Sequence, residues 1–141
     1  MVNKKEIFPI GIGTWKIDYE NFENDINGLL HSYNCGQNYL SLYMLYNNGE
    51  VVRQAKKFID KVDRDKLFIN ANLEPTIEKN EDVEKQLNEY LEILDIDYVD
   101  SLQIHSPIFS KIPLIDVYKK IERLVSIGKV RYIGIISHKT K

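Results

Sequence analysis

Apolar positions along this chain follow two alternating periods. Ile10-Gly11-Ile12-Gly13-Thr14-Trp15, Tyr39 to Leu42, Leu67-Phe68-Ile69, Tyr98 to Ile104 and Val130 to Ile136 are short runs of strand length, several of them rich in branched apolar residues. Between them apolar residues recur at three- and four-residue steps, the period of a helix with one buried face. Residues 20–35 carry Phe22, Ile26, Leu29, Leu30 and Tyr33, with Gly36 as the stop. Residues 50–61 carry Val51, Val52, Ala55, Phe58 and Ile59. Residues 80–94 carry Val83, Leu87, Tyr90, Leu91 and Leu94; Asn80 is placed to cap this helix, and Glu81, Asp82 and Glu84 suit its N-terminal dipole. Residues 113–127 open at Pro113, close before Gly128 and present Leu114, Val117, Tyr118, Ile121, Leu124 and Val125.

The order is β-α-β-α-β-α-β-α-β, which predicts a parallel sheet with crossover helices. Two α/β architectures fit: part of a (β/α)8 TIM-type barrel, about five parallel βα units in a fold that takes ~250 residues when whole, or an open doubly wound parallel sheet. No linker or low-complexity tract divides the chain, so residues 1–141 are expected to form one domain. Gly11 and Gly13 lack the third, helix-opening glycine of a dinucleotide fingerprint.

Composition narrows the function classes. The chain has 141 residues, 43% hydrophobic and 28% charged, with a net charge of −2. That is a globular mixture with no general field for nucleic acid. No apolar run reaches the ~20 residues of a membrane span, and no signal peptide is visible. The lone Cys35 cannot form an internal disulfide, which favours a reducing, cytoplasmic setting. It reads as a small buried apolar residue, and His31 as a helix-surface residue. Three dispersed histidines and one cysteine give no metal-ligand spacing.

Five phrases in fixed order resemble the aldo-keto reductases: Gly11-Ile12-Gly13-Thr14-Trp15; the run from Gly36 through Asn38, Ser41 and Tyr46 to Gly49-Glu50; Lys66 to Asn72; Leu94 to Pro107 with its Gln103-Ile104-His105; and Gly128 to Ser137. The resemblance covers essentially the whole chain. It implies the barrel, and a site at the C-terminal ends of the strands where an Asp, Tyr, Lys and His reduce carbonyls with NADPH. Tyr46 and His105 match two of those four positions. The Asp position holds Ser41 and the Lys position holds Asn72. The pair that touches the nicotinamide corresponds to Ser137-His138, and the later segments that hold most of the dinucleotide are not in this sequence.

Those departures have chemical consequences. A phenol has a pKa of about 10, and a neighbouring ammonium both lowers it and stabilises charge developing on oxygen. Asn72 supplies a dipole and no charge. Tyr46 and His105 remain able to donate and accept protons. The leading expectation is therefore a protein that binds a small carbonyl compound, or performs an acid-base step of lyase, cyclase or isomerase type on it, with Tyr46 and His105 catalytic. Trp15, Ser41, Asn72 and Ser137 would shape the substrate pocket, with no cofactor. Two alternatives stand beside it: a non-catalytic binding or scaffold subunit, and an NADPH-dependent aldo-keto reductase fragment completed by another chain. Half a barrel leaves two strand edges and an interior face open, with only Arg131 to guard the last strand, so a homodimer or larger homo-oligomer is expected.

Overall fold

The computed structural model describes residues 5–15, 17, 22–75, 77–105 and 111–136. Five strands form one parallel sheet in the order β1 (Ile12–Gly13), β2 (Tyr39–Tyr43), β3 (Phe68–Leu73), β4 (Val99–His105), β5 (Val130–Ile136). Helices α1 (Phe22–Asn34), α2 (Glu50–Ile59), α3 (Asn80–Leu94) and α4 (Leu114–Ser126) fill the crossovers, and each packs against the next. Strand order follows chain order, so the sheet never reverses direction. That is the winding of a barrel, and the doubly wound alternative falls away.

The sheet separates two chemistries by the two-residue alternation of a strand. Leu40, Leu42, Ile69, Ala71, Leu73, Leu102 and Ile104 join Val52, Phe58, Val83, Leu87, Tyr90, Ile121 and Leu124 in the core beneath the helices. The other face begins with an aromatic layer. Tyr39 stacks on Phe68 at 5.1 Å and Phe68 on Tyr132 at 5.9 Å between ring centroids. Above it lies a polar layer of Ser41, Asn70, Asn72, Ser101 and Gln103, on positions that pair in register as Ser41 with Asn70, Asn70 with Ser101, and Asn72 with Gln103.

The expected elements differ from the observed ones at their ends. The first strand shrinks to Ile12–Gly13, and the third extends from Ile69 to Leu73 because Asn70 and Asn72 find hydrogen bonds on the inner face. Helix α3 begins at Asn80 as expected, but the capping residue is Lys79. The Asp82 carboxylate reaches back to accept from the backbone N–H of Lys79 at 3.0 Å and of Glu78 at 3.1 Å.

The opposite, N-terminal ends of the strands are closed by residues 5–8. Asn38 donates from Nδ2 to the carbonyls of Glu6 and Lys66 and accepts from the Phe8 N–H. Lys5 donates to the carbonyls of Arg64 and Leu67 and pairs with Asp100 at 2.9 Å.

Candidate functional site

The C-terminal parts of β2, β3 and β4 carry Ser41, Asn72 and His105, and the turn after β2 carries Tyr46. After β2 the chain makes one tight 3-10 turn, Tyr46–Gly49, in which Asn47 (φ 46°) and Asn48 (φ 52°) take left-handed conformations that asparagine tolerates. Gly49 follows at φ 80°, where a side chain would be strained. The Arg53 guanidinium closes the turn by donating to the Asn48 carbonyl at 2.9 Å. This fixes where the Tyr46 ring emerges, edge-on to Tyr43 with centroids 5.2 Å apart. The His105 ring, at the last residue of β4, also lies against Tyr43, with centroids 4.9 Å apart and planes tilted by 31°. Tyr46 and His105 thus both contact one common aromatic ring.

Tyr43 is the member that sequence reasoning missed. It is 5% exposed. Burial, reinforced by the Glu74 carboxylate and the Tyr46 phenol, pushes its pKa up to about 12. Tyr43 therefore keeps its proton to higher pH than an ordinary phenol. Glu74 follows β3, and burial together with the Glu89 carboxylate raises its pKa above the ordinary carboxylate value.

Ser41 and Asn72 meet as expected from their matching positions. The Asn72 amide donates to the Leu42 carbonyl at 2.7 Å and to Ser41 Oγ at 3.3 Å, while its Oδ1 is buried without a donor. Asn70 donates to Ser41 Oγ and to Gln103 Oε1, and Ser101 donates its hydroxyl to Asn70. Gln103 reaches on to the Tyr39 hydroxyl at 3.4 Å. A hydrogen-bonded sheet of amides and hydroxyls therefore underlies the site, with neutral groups where an ammonium and a carboxylate would make an ion pair. The signal was in the sequence: Asn70 and Asn72, and Ser101 and Gln103, are polar at two-residue steps in adjacent strands. Close approach also matters here, since a Cβ on Gly134 of β5 would lie 2.6 Å from Gln103 Cγ.

Behind these residues Tyr90 rises from α3. Its hydroxyl accepts from the Met44 N–H at 2.8 Å and donates to the Asn72 carbonyl at 2.9 Å. It ties the end of β2 to β3 at the level of the site, and burial drives its pKa upward. Trp15, expected to wall the pocket, is 71% exposed just beyond β1. Thr14 beside it donates to the Ser41 carbonyl at 2.8 Å. Ser137 lies outside the described residues. Cys35 is exposed, not buried, with its sulfur 3.8 Å from His31 Nε2 at the end of α1. Among the described residues no group of three or more His, Cys, Asp or Glu is placed to hold a metal ion, and no helix is long and apolar enough to cross a membrane.

Comparison with known proteins places this arrangement. The profile of the Aldo/keto reductase family matches residues 9–141. The chain is 28% identical to the NAD(P)H-dependent D-xylose reductase of Scheffersomyces stipitis, over 89% of this chain and 47% of that protein. It is 29% identical to the NAD(P)H-dependent D-xylose reductase I,II of Candida tropicalis, over 89% and 46%. Among solved structures, a thermostable aldo-keto reductase bound to the inhibitor epalrestat superposes with a TM-score of 0.80 at 31% identity, covering 89% of this chain and 47% of that one. An aldo-keto reductase from Klebsiella pneumoniae in complex with NADPH shares the fold at a TM-score of 0.85 and 22% identity, covering 95% of this chain and 47% of that one. The chain spans about half the length of the relatives it matches.

Proposed function

The chain belongs to the aldo/keto reductase family, and on that premise we propose that it carries the carbonyl-binding, proton-donating part of a reductase-type site for a small carbonyl compound. The observation that carries this reading is that Tyr46 and His105 both pack against the Tyr43 ring. A carbonyl oxygen entering beside Tyr43 can meet both a phenol O–H and an imidazole there. Both can hydrogen-bond to it, and the phenol can deliver a proton as charge develops on oxygen. The names of the D-xylose reductases supply the substrate class, a small polyhydroxy aldehyde.

A nicotinamide dinucleotide brings phosphates, which proteins hold with cations. The described groups that act on Tyr43, namely Tyr46, Glu74 and His105, include no lysine or arginine. They do not fit the phosphates, and no step proposed here passes through the dinucleotide. The neutral Ser41 and Asn72 favour a second reading: carbonyl binding, or acid-base chemistry on the carbonyl compound, without hydride transfer. A binding subunit without catalysis is its limiting case.

One experiment separates these readings. The protein is mixed with D-xylose or D-glyceraldehyde with and without NADPH, and both NADPH absorbance and the NMR signals of His105 are followed. NADPH oxidation that falls ~10²-fold in Tyr46→Phe and His105→Ala supports the reductase-type site. Aldehyde-dependent shifts at His105 without NADPH oxidation support the second reading. If His105 does not respond to either aldehyde and no NADPH is consumed, both readings of the site fail.

A further inference from the structure

At the end of the sheet away from Tyr46, one carboxylate serves three cations. Asp100 is fully buried and pairs with Lys5 at 2.9 Å, Arg64 at 2.8 Å and Arg131 at 3.3 Å. It also accepts from the Ile69 N–H at 2.9 Å. Lys5 is 8% exposed, Arg64 20% and Arg131 23%. The Tyr98 ring lies against both guanidiniums, 4.3 Å from Arg64 and 3.9 Å from Arg131, with the Lys5 ammonium at 5.5 Å.

Counting charge leaves a surplus. Three cations less one carboxylate give +2 in a space largely withdrawn from water. Uncompensated charge in such a place is unfavourable, and it attracts a counter-ion. Among the described residues, nearby carboxylates do not supply one. Asp65 is exposed and pairs with none of the three, and Glu122, across an open groove from Arg131, forms no ion pair with it. Lys5 registers the shortage. Burial lowers its pKa, and the two guanidiniums lower it further against the pull of Asp100.

Donors are also left over. Arg64 Nε and the Tyr98 hydroxyl are buried without partners. The hydrogen bonds of Arg131 are accounted for by one N–H given to Asp100, out of the five that a guanidinium carries. By contrast the Lys5 ammonium is saturated by two carbonyls and Asp100.

We propose that the Arg64, Tyr98 and Arg131 cluster, backed by Lys5, binds a phosphate group at the N-terminal ends of β4 and β5. A phosphate carries between −1.5 and −2 charges near neutral pH and several acceptor oxygens. It thus matches both the surplus charge and the unpaired donors: Arg64 offers Nε, its terminal nitrogens being given to Asp100 and to the Leu67 and Tyr98 carbonyls, and Arg131 offers its remaining N–H groups. The ligand is either inorganic phosphate or the phosphate of a phosphomonoester. The site is separate from Tyr46 and His105 and does not depend on what they do.

The test uses the whole chain at pH 7.5. Inorganic phosphate is titrated against sodium chloride at matched ionic strength, and melting temperature is read. Saturable stabilisation of ~5 °C with phosphate, absent with chloride, is expected. Amide signals of Arg131, Tyr98 and Lys5 should move along the same titration while those of Tyr46 and His105 stay still. Arg131→Met should abolish the response. Should that variant fold poorly, Tyr98→Phe keeps the ring, removes the hydroxyl and should weaken phosphate several-fold. Glycerol 2-phosphate in a parallel titration separates the sources: binding equal to or tighter than phosphate assigns a monoester, and binding of phosphate alone assigns the free anion. An equal response to chloride, signals moving only elsewhere, or undiminished binding in both variants overturns the proposal.

Discussion

An amide in place of an ammonium changes both what a site can do and what it costs to bury. Asn72 is 4% exposed and gives its amide N–H groups to Leu42 and Ser41, so Asn72→Lys alone places a charge where the nearest side-chain partner is a hydroxyl. We expect that variant to lose several kcal/mol, and Ser41→Asp in the same chain to recover ~1–3 kcal/mol, because the two side chains already meet at 3.3 Å. A urea double-mutant cycle reads the coupling; a value near zero would mean that the two positions no longer act as a pair. Tyr43 sets a second expectation. Its folded pKa of about 12 lies above the ordinary phenol value of 10, so the folded state holds its proton more tightly than the unfolded chain. The associated stability is fully present below pH 10 and is lost as pH rises through 12. Tyr43→Phe should flatten the alkaline fall in melting temperature over that window, and an unchanged slope would show that Tyr43 does not titrate differently on unfolding.

Tyr90 belongs to the scale of elements, because one hydroxyl joins α3 to the ends of β2 and β3. Tyr90→Phe keeps the ring in the core and leaves the Met44 N–H without its acceptor. A cost of about 1–3 kcal/mol follows, with faster amide exchange at Met44 and through the Tyr46–Gly49 turn. Equal acceleration throughout β4 and β5 would instead mark a general loss of stability. In sequence Tyr90 was legible only as an apolar helix position. Periodicity reports which face a side chain takes, and says nothing of where a hydroxyl at its far end arrives. The same limit explains Tyr43, whose contacts with Tyr46 and His105 follow from the turn after β2 and not from any period. What periodicity could carry, it carried well. Helix 80–94 appears as Asn80–Leu94 and the last strand as Val130–Ile136, since both have a full apolar stripe and clear ends. Strand β3 was expected only as the apolar run Leu67-Phe68-Ile69, whereas all of Phe68–Leu73 is strand and buried. Ser41 and Asn72 were found as a pair through the family's motif positions, and not from local pattern.

At the scale of the molecule, the two ends of the sheet and its open side make different demands. Asp100 fastens the N-terminal segment to β3, β4 and β5 at once, so Asp100→Asn leaves three cations facing one another. About 3–5 kcal/mol should be lost in urea unfolding, and Lys5→Met in the same chain should restore part of it. The open side concerns β5. In the described sheet β5 pairs with β4 alone. Arg131, the one charge expected to shield that edge, turns instead toward Asp100 and Tyr98. Tyr132 is left 41% exposed and Ile135 54%, with Ile115 of α4 at 56%. A seven-residue strand with unpaired backbone groups, no proline and exposed apolar side chains is a template for pairing with another strand. In solutions of this chain the partner at hand is a second copy, and we expect self-association at tens of micromolar in sedimentation velocity. Ile135→Lys puts a charge on the edge without touching β4 and should shift the population to monomer while leaving melting temperature nearly unchanged. A monomeric wild type at those concentrations would show that the Val130–Ile136 edge is shielded without a partner strand.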